Sequence, residues 1–227
     1  MEEKVLITGA TSGLGKELAR RFAKEGFSLL LHARNLLLLE DFSNSLKEEG
    51  AKVKTISGDL SNPETIKNLI GFAKENDATL LINNAGHPCP GLKLEEIKEE
   101  EIKEMINVNL YATITLIRGF YMNLLGKGGC IININSIMGR EPKELRSIYT
   151  ATRWGLRGFT DSFRIEAEKN NFRIIGVYPS RIKTRPEYTF GLEVSDVIGK
   201  IYEYYSSGQN GDIIIDGRPL ELRPKTI

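Results

Sequence analysis

The sequence predicts an α/β protein, a single domain over residues 1–227 built as a doubly wound parallel sheet of about seven strands with helices on both faces. Three observations predict it. Short apolar runs alternate with longer amphipathic segments along the whole chain, and strands joined through helices in this βαβ manner run parallel. The first run, Val5-Leu-Ile-Thr8, passes directly into a glycine-rich turn, Gly9 to Gly15, that opens an amphipathic segment. The 227 residues suffice for one sizeable core, and no linker, internal repeat or low-complexity stretch divides them.

Taken in order, the turn leads into a helix from Lys16 to Lys24, and Phe27 to His32 form a second buried strand ending in Ala33-Arg34-Asn35. Leu36 opens a helix to about Glu49; its four leading leucines cannot all face one stripe, so a helix packed between the sheet and a neighbour is expected. Ala51 to Ser57 make the third strand, closed by Gly58-Asp59-Leu60; Ser61-Asn62-Pro63 supplies a cap and a first-turn proline for the next helix. Ala78 to Ile82 are the fourth strand, running into Asn83-Asn84-Ala85-Gly86 and a polar loop, His87 to Leu92. One long helical pattern extends from about Leu94 to Leu125, its acidic start suited to the positive end of the helix dipole. A fifth strand, Gly128 to Ser136, precedes a helix from Tyr149 to about Lys169. Phe172 to Val177 are the sixth strand; a loop of about 15 residues, a helix from about Ser195 and a last strand, Asp212 to Asp216, complete the pattern.

Bulk composition excludes several functions. A net charge of +1 spread along the chain gives no electrostatic footprint for nucleic acid or an anionic membrane. No apolar run approaches 18 residues, and the charged start is not a secretory leader, so a cytoplasmic protein is expected. Cys89 and Cys130 suit reduced thiols, and with His32 and His87 as the only histidines no metal site is expected.

The glycine turn carries the chemistry. It lets backbone N–H groups and a helix N-terminus meet a phosphate with no side chain between. Gly15-Lys16 looks like the end of an ATPase phosphate loop, but that loop needs glycine at Ala10 and a hydroxyl at Glu17, where a carboxylate cannot serve. A methyltransferase also uses a glycine turn after its first strand, so downstream residues decide. At the end of the second strand of a dinucleotide-binding fold an acid binds the ribose 2′-hydroxyl, whereas arginine accommodates a 2′-phosphate. Here Ala33 supplies no acid and Arg34 supplies the cation, which favours NADP(H). Asp59 and Leu60, at the next strand end on the same side, are candidates for the adenine.

Together these residues resemble the short-chain dehydrogenase/reductase family over essentially the whole chain, with its Rossmann-type fold. Thr8-Gly9 to Gly15 is similar to the family's T-G-x-x-x-G-x-G, and Asn83 to Gly86 to its N-N-A-G. Asn109, Ser136 and Tyr149 follow where the family carries its catalytic asparagine, serine and tyrosine. The resemblance implies an NADP-dependent oxidoreductase that interconverts a carbonyl and an alcohol. Tyr149 would be the proton donor, Ser136 would hydrogen-bond the substrate oxygen, and Asn109 would organise the wall behind. It also implies cofactor contacts from Gly9, Thr11, Ser12, Gly13, Leu14, Gly15, Arg34, Asp59, Leu60, Asn84, Ala85, Gly86, Tyr149, Arg153, Pro179 and Thr184. His87, Ser136, Met138 and Tyr188 would line the substrate pocket, which takes a small molecule. A homodimer or homotetramer is expected through the helices that carry Ile114, Ile117, Phe120, Trp154, Phe159 and Phe163.

The sequence departs from the family twice. The family's Y-x-x-x-K reads Tyr149-Thr-Ala-Thr-Arg153, and arginine keeps the charge but releases no proton at ordinary pH. Pro179-Ser180 replaces P-G. Arg153 keeps a second expectation open, an NADP(H)-binding sensor or assembly protein with little turnover.

Overall fold

The computed structural model describes residues 3–184, 189–219 and 221. Seven strands form one parallel sheet in the order β3-β2-β1-β4-β5-β6-β7: β1 Lys4–Thr8, β2 Ser28–Ala33, β3 Val53–Ser57, β4 Leu80–Asn83, β5 Gly129–Ile134, β6 Phe172–Pro179 and β7 Gly211–Ile215. The helices are α1 Gly13–Lys24, α2 Leu36–Glu48, α3 Pro63–Glu75, α4 Glu99–Ile106, α5 Thr113–Asn123, α6 Ser147–Glu168 and α7 Val194–Ser206. They lie on both faces of the sheet, as expected. Val5, Ile7, Leu29, Leu31, Ile132 and Val177 pack with α1, α2 and α7 on one side; Leu6, Leu30, Leu81, Ile131 and Ile174 pack with α3, α5 and α6 on the other. Because both sheet faces are covered, the strands read as continuous apolar runs rather than alternating ones. Each fully buried aliphatic side chain contributes about 1.5–3 kcal/mol. Among the described residues, no helix is long and apolar enough to cross a membrane.

Strand order reverses between β1 and β4, and there the two chains diverge to opposite faces and leave a crevice at their carboxyl ends. The glycine turn and the segment after Asn83 both emerge at this point. Asn62 caps α3 by accepting from the Glu64 N–H at 3.0 Å, and Pro63 takes the first helical position.

Three expectations need correction. Of the four leucines that open α2, only Leu39 is buried; Leu36, Leu37 and Leu38 are exposed by 49, 71 and 55%, because only one position in the first turn can face the sheet. The single helix expected from Leu94 to Leu125 is a short 3₁₀ turn, α4, a π-helical turn over Asn107–Ala112, and α5. The wider turn lets the Thr113 hydroxyl donate to the Val108 carbonyl five residues back, and such insertions recur at functional sites. Ile117, Phe120 and Phe163, expected at a subunit interface, face the core instead. The large apolar side chains exposed along these helices include Tyr111, Met122, Trp154 and Ile165.

Candidate active site

At the exit of β1, Gly9 and Gly13 adopt φ of 67° and 50°, a region that side chains disfavour. Gly15 is demanded by close approach: a Cβ there would run into the Gly9 carbonyl and the Asn84 amide. Ser12 stands at the N-cap of α1 with no side-chain capping bond, and the first turn holds no acid. The leading N–H groups of α1 therefore point into the crevice with an uncompensated positive end, a site for an anion. Leu14 is buried, so only its backbone reaches this opening.

Thr8 fastens the turn to β4. Its Oγ1 accepts from the N–H groups of Asn84 at 3.1 Å and Ala85 at 3.0 Å, while Asn84 Nδ2 donates to the Thr8 and Gly9 carbonyls at 3.0 and 3.1 Å. A cleft of about 350 Å³ opens here, lined by Gly9, Thr11, Ser12, Arg34, Asp59, Leu60, Asn84, Ala85, Gly86 and His87 among the expected residues. Arg34 is exposed at its rim. Asp59 accepts from the Ser61 N–H at 2.8 Å, and this bond first, with the Arg34 charge adding to it, holds the carboxyl below its ordinary range. Thr184 packs beside the turn, 3.5 Å from where a Cβ of Gly13 would stand. Pro179 ends β6 beyond the last β5 partner, where its missing N–H costs no ladder bond on that side. Ser180, in place of glycine, has found a role: its Oγ accepts from the Gly217 N–H at 3.0 Å.

Beside Gly86 and His87, which line one end of this cleft, side chains are held by side chains. Asn109, 1% exposed on the π-helical turn, clamps His87 from both sides: Oδ1 accepts from its N–H at 2.6 Å and Nδ2 donates to its carbonyl at 3.2 Å. His87 Nε2 lies 3.5 Å from Glu104 of α4. Ser136 begins a 3₁₀ turn, Ile137–Gly139, and its Oγ accepts from the Met138 N–H at 3.2 Å. Arg153 is 7% exposed, with its guanidinium carbon 4.7 Å from the centre of the Tyr149 ring and Nη1 donating to the Ile134 carbonyl at 3.3 Å. Its Nε is buried without a partner. A Cβ on Gly86 would stand 2.9 Å from Arg153 Nη2 and 3.1 Å from Asn109 Oδ1, so glycine there lets three elements converge. Tyr188 lies outside the described residues.

Three residues escaped the sequence reading. Asn135, 5% exposed, accepts from the Ser136 N–H at 2.8 Å and donates to the Arg153 carbonyl at 3.0 Å, joining the exit of β5 to α6. Asn133 links Asn83 to Thr160 beneath the site. An amide repeated two residues apart in Ile-Asn-Ile-Asn was the available signal, since a buried amide in an apolar strand needs partners. His32, 1% exposed, lines the cleft floor. Its Nε2 lies 3.0 Å from the Gly58 carbonyl and so carries the proton, which leaves Nδ1 without a protein partner. Burial holds this imidazole below its ordinary pKa.

Comparison with known proteins bears on this geometry. The short chain dehydrogenase family model matches residues 3–190. A diacetyl reductase [(S)-acetoin forming] of Staphylococcus epidermidis is 31% identical over 216 residues, 91% of this chain and 84% of that protein. A short-chain dehydrogenase from Sphingobium yanoikuyae solved with NADPH superposes with a TM-score of 0.86 at 25% identity, covering 97% of this chain and 89% of that one. An alcohol dehydrogenase from Thermococcus sibiricus complexed with 5-hydroxy-NADP does so with a TM-score of 0.88 at 25% identity, covering 99 and 100%.

Proposed function

Since the chain belongs to the short-chain dehydrogenase family and is an oxidoreductase, we propose that it interconverts a carbonyl and an alcohol with NADP(H). The observation that carries this reading is the convergence of Asn109, Arg153 and, through Arg153, Tyr149 on Gly86, a residue lining a cleft that also holds an anion-ready helix terminus and has Arg34 at its rim. The residues present fit the cofactor: free N–H groups of α1 for the pyrophosphate, Arg34 for a 2′-phosphate, Asp59 and Leu60 for the base. Bound there, the nicotinamide supplies or takes up the hydride.

The chain's own residues do the rest. Ser136 Oγ donates a hydrogen bond to the substrate oxygen and orients the carbonyl. Tyr149 gives its phenolic proton to that oxygen as negative charge develops, and takes one back in the reverse direction. Arg153, against the phenol ring, stabilises the charge left on Tyr149, and solvent returns the proton because a guanidinium releases none at ordinary pH. Asn109 positions His87 and with it the wall that faces the substrate.

One observation favours a second reading. Arg153 lies over the ring face with its Nε unpaired, where the family has a lysine, and this suits a cofactor-binding sensor with little turnover. NADPH consumption measured over a panel of aldehydes, ketones and diketones separates the two: turnover of any member supports the oxidoreductase, and tight NADPH binding with none supports the sensor. For assembly we favour a homodimer or homotetramer, since Tyr111, Met122, Trp154 and Ile165 leave apolar surface exposed. Sedimentation at micromolar concentration checks it, and a 25.4 kDa monomer alone contradicts it.

A further inference from the structure

Arg146 stands at the N-cap of α6, three residues before Tyr149. Its Nη1 donates to the Cys89 carbonyl at 3.4 Å and would lie 3.3 Å from a Cβ on Gly91, whose φ of 73° turns the loop toward it. The guanidinium thus joins the loop that follows His87, a residue of the cleft lining, to the start of the helix that carries Tyr149. Its Nε is buried with no hydrogen-bond partner. Among the described residues it makes no ion pair. The acids nearby are engaged elsewhere or turned to solvent: Glu141 is held by Arg218 at 2.7 and 2.8 Å, Glu104 faces His87, and Glu144 is exposed.

A part-buried guanidinium with one long bond to a neutral carbonyl is poorly compensated, because removing a charge from water is costly unless an opposite charge meets it. Its fork of donors matches a carboxylate or a phosphate in two parallel bonds. The first turn of α6 adds to this, since it has no side-chain cap and no acid. We propose that Arg146 is the anion-binding residue of the substrate pocket, and that the carbonyl compound this protein acts on carries a carboxylate or a phosphate ester. The inference rests on the carbonyl/alcohol reading above for the word substrate, but the binding of the anion does not depend on turnover.

Matched pairs of probes test it: acetoacetate and levulinate against their methyl esters, and dihydroxyacetone phosphate against dihydroxyacetone. Each is titrated calorimetrically into the full chain saturated with NADP⁺, and NADPH consumption is followed for the same compounds. At least one charged member should bind tenfold or more tightly than its neutral partner and lose that advantage as salt is raised. The pair that discriminates distinguishes a carboxylate from a phosphate. Arg146→Gln should bring the charged-to-neutral ratio close to one, while Arg146→Lys should retain part of it. Equal affinity within every pair for the unaltered protein overturns the proposal without any variant. So does a preference that survives Arg146→Gln, or a variant that weakens charged and neutral members equally, the mark of a residue that only pins the loop. Binding that discriminates while no compound is reduced counts against the carbonyl/alcohol reading for these compounds and leaves Arg146 in its role.

Discussion

The two ends of the cleft are built differently. At the end we assign to the cofactor the groups are backbone N–H groups, glycines that make room for them, and a few polar side chains at strand exits; nearly all belong to Gly9–Gly15 or to a strand's last residues. At the end we assign to the substrate they are side chains placed by other side chains across long sequence separations, Asn109 on His87 and Asn135 on Arg153. A site of the first kind is most sensitive where a Cβ would collide. A site of the second kind loses function when any supporting partner is removed, because orientation is what it supplies.

Gly15→Ala strikes the first kind hardest. The new Cβ meets backbone and the Asn84 amide, not a flexible chain end, so about 3 kcal/mol of stability or cofactor affinity should go. Melting temperature and NADPH titration read it, and an unchanged pair would deny that close approach defines this end. Arg153→Met tests the other end: removing the charge against Tyr149 should slow turnover by about 2 kcal/mol of barrier, or roughly thirtyfold, while Arg153→Lys keeps or raises the rate. Steady-state kinetics decide, and a methionine variant as fast as the lysine one would show that the cation has no part in proton transfer.

Arg34→Ala should narrow the NADPH-over-NADH preference by about 1–3 kcal/mol, the worth of a charge-assisted contact to a 2′-phosphate. Calorimetry with both cofactors checks it. The smallest effect concerns His32, whose pKa burial lowers from 6.5. As pH falls below 6.5 the unfolded chain takes up a proton that the fold resists, so this contribution is whole above 6.5 and is lost as pH falls toward the folded value. Asp59, held below 3.8 first by the Ser61 N–H, keeps its own contribution through that window and loses it only at lower pH. Thermal melts from pH 7.5 to 5.5 should therefore decline more steeply for the unaltered protein than for His32→Val.

The same contrast explains what could be read in the sequence. The strands themselves, the glycine turn and the place of Arg34 were legible because each rests on local pattern: an apolar run, a spacing, a residue at a strand exit. Seven strands and their approximate bounds followed from that alone. Asn135 and His32 were not singled out because their roles arise from partners 18 and 26 residues away. The π-helical turn was hidden because Asn107 to Ala112 keeps a helical pattern of apolar positions while the backbone inserts a wider turn. The leucines of α2 show the reverse case: a neighbour was expected to cover those that cannot face the sheet, yet only Leu39 is buried and Leu36, Leu37 and Leu38 are exposed.

The central claim is that one cleft binds NADPH at one end and moves a proton through Tyr149 at the other. Tyr149→Phe, with NADPH affinity and carbonyl-dependent NADPH consumption measured on the same preparation, tests it most directly. The account predicts an affinity within about twofold of the unaltered protein and a rate lower by about 10²-fold or more. A variant that binds NADPH and consumes it at the unaltered rate would contradict the assignment of Tyr149, and with it the site.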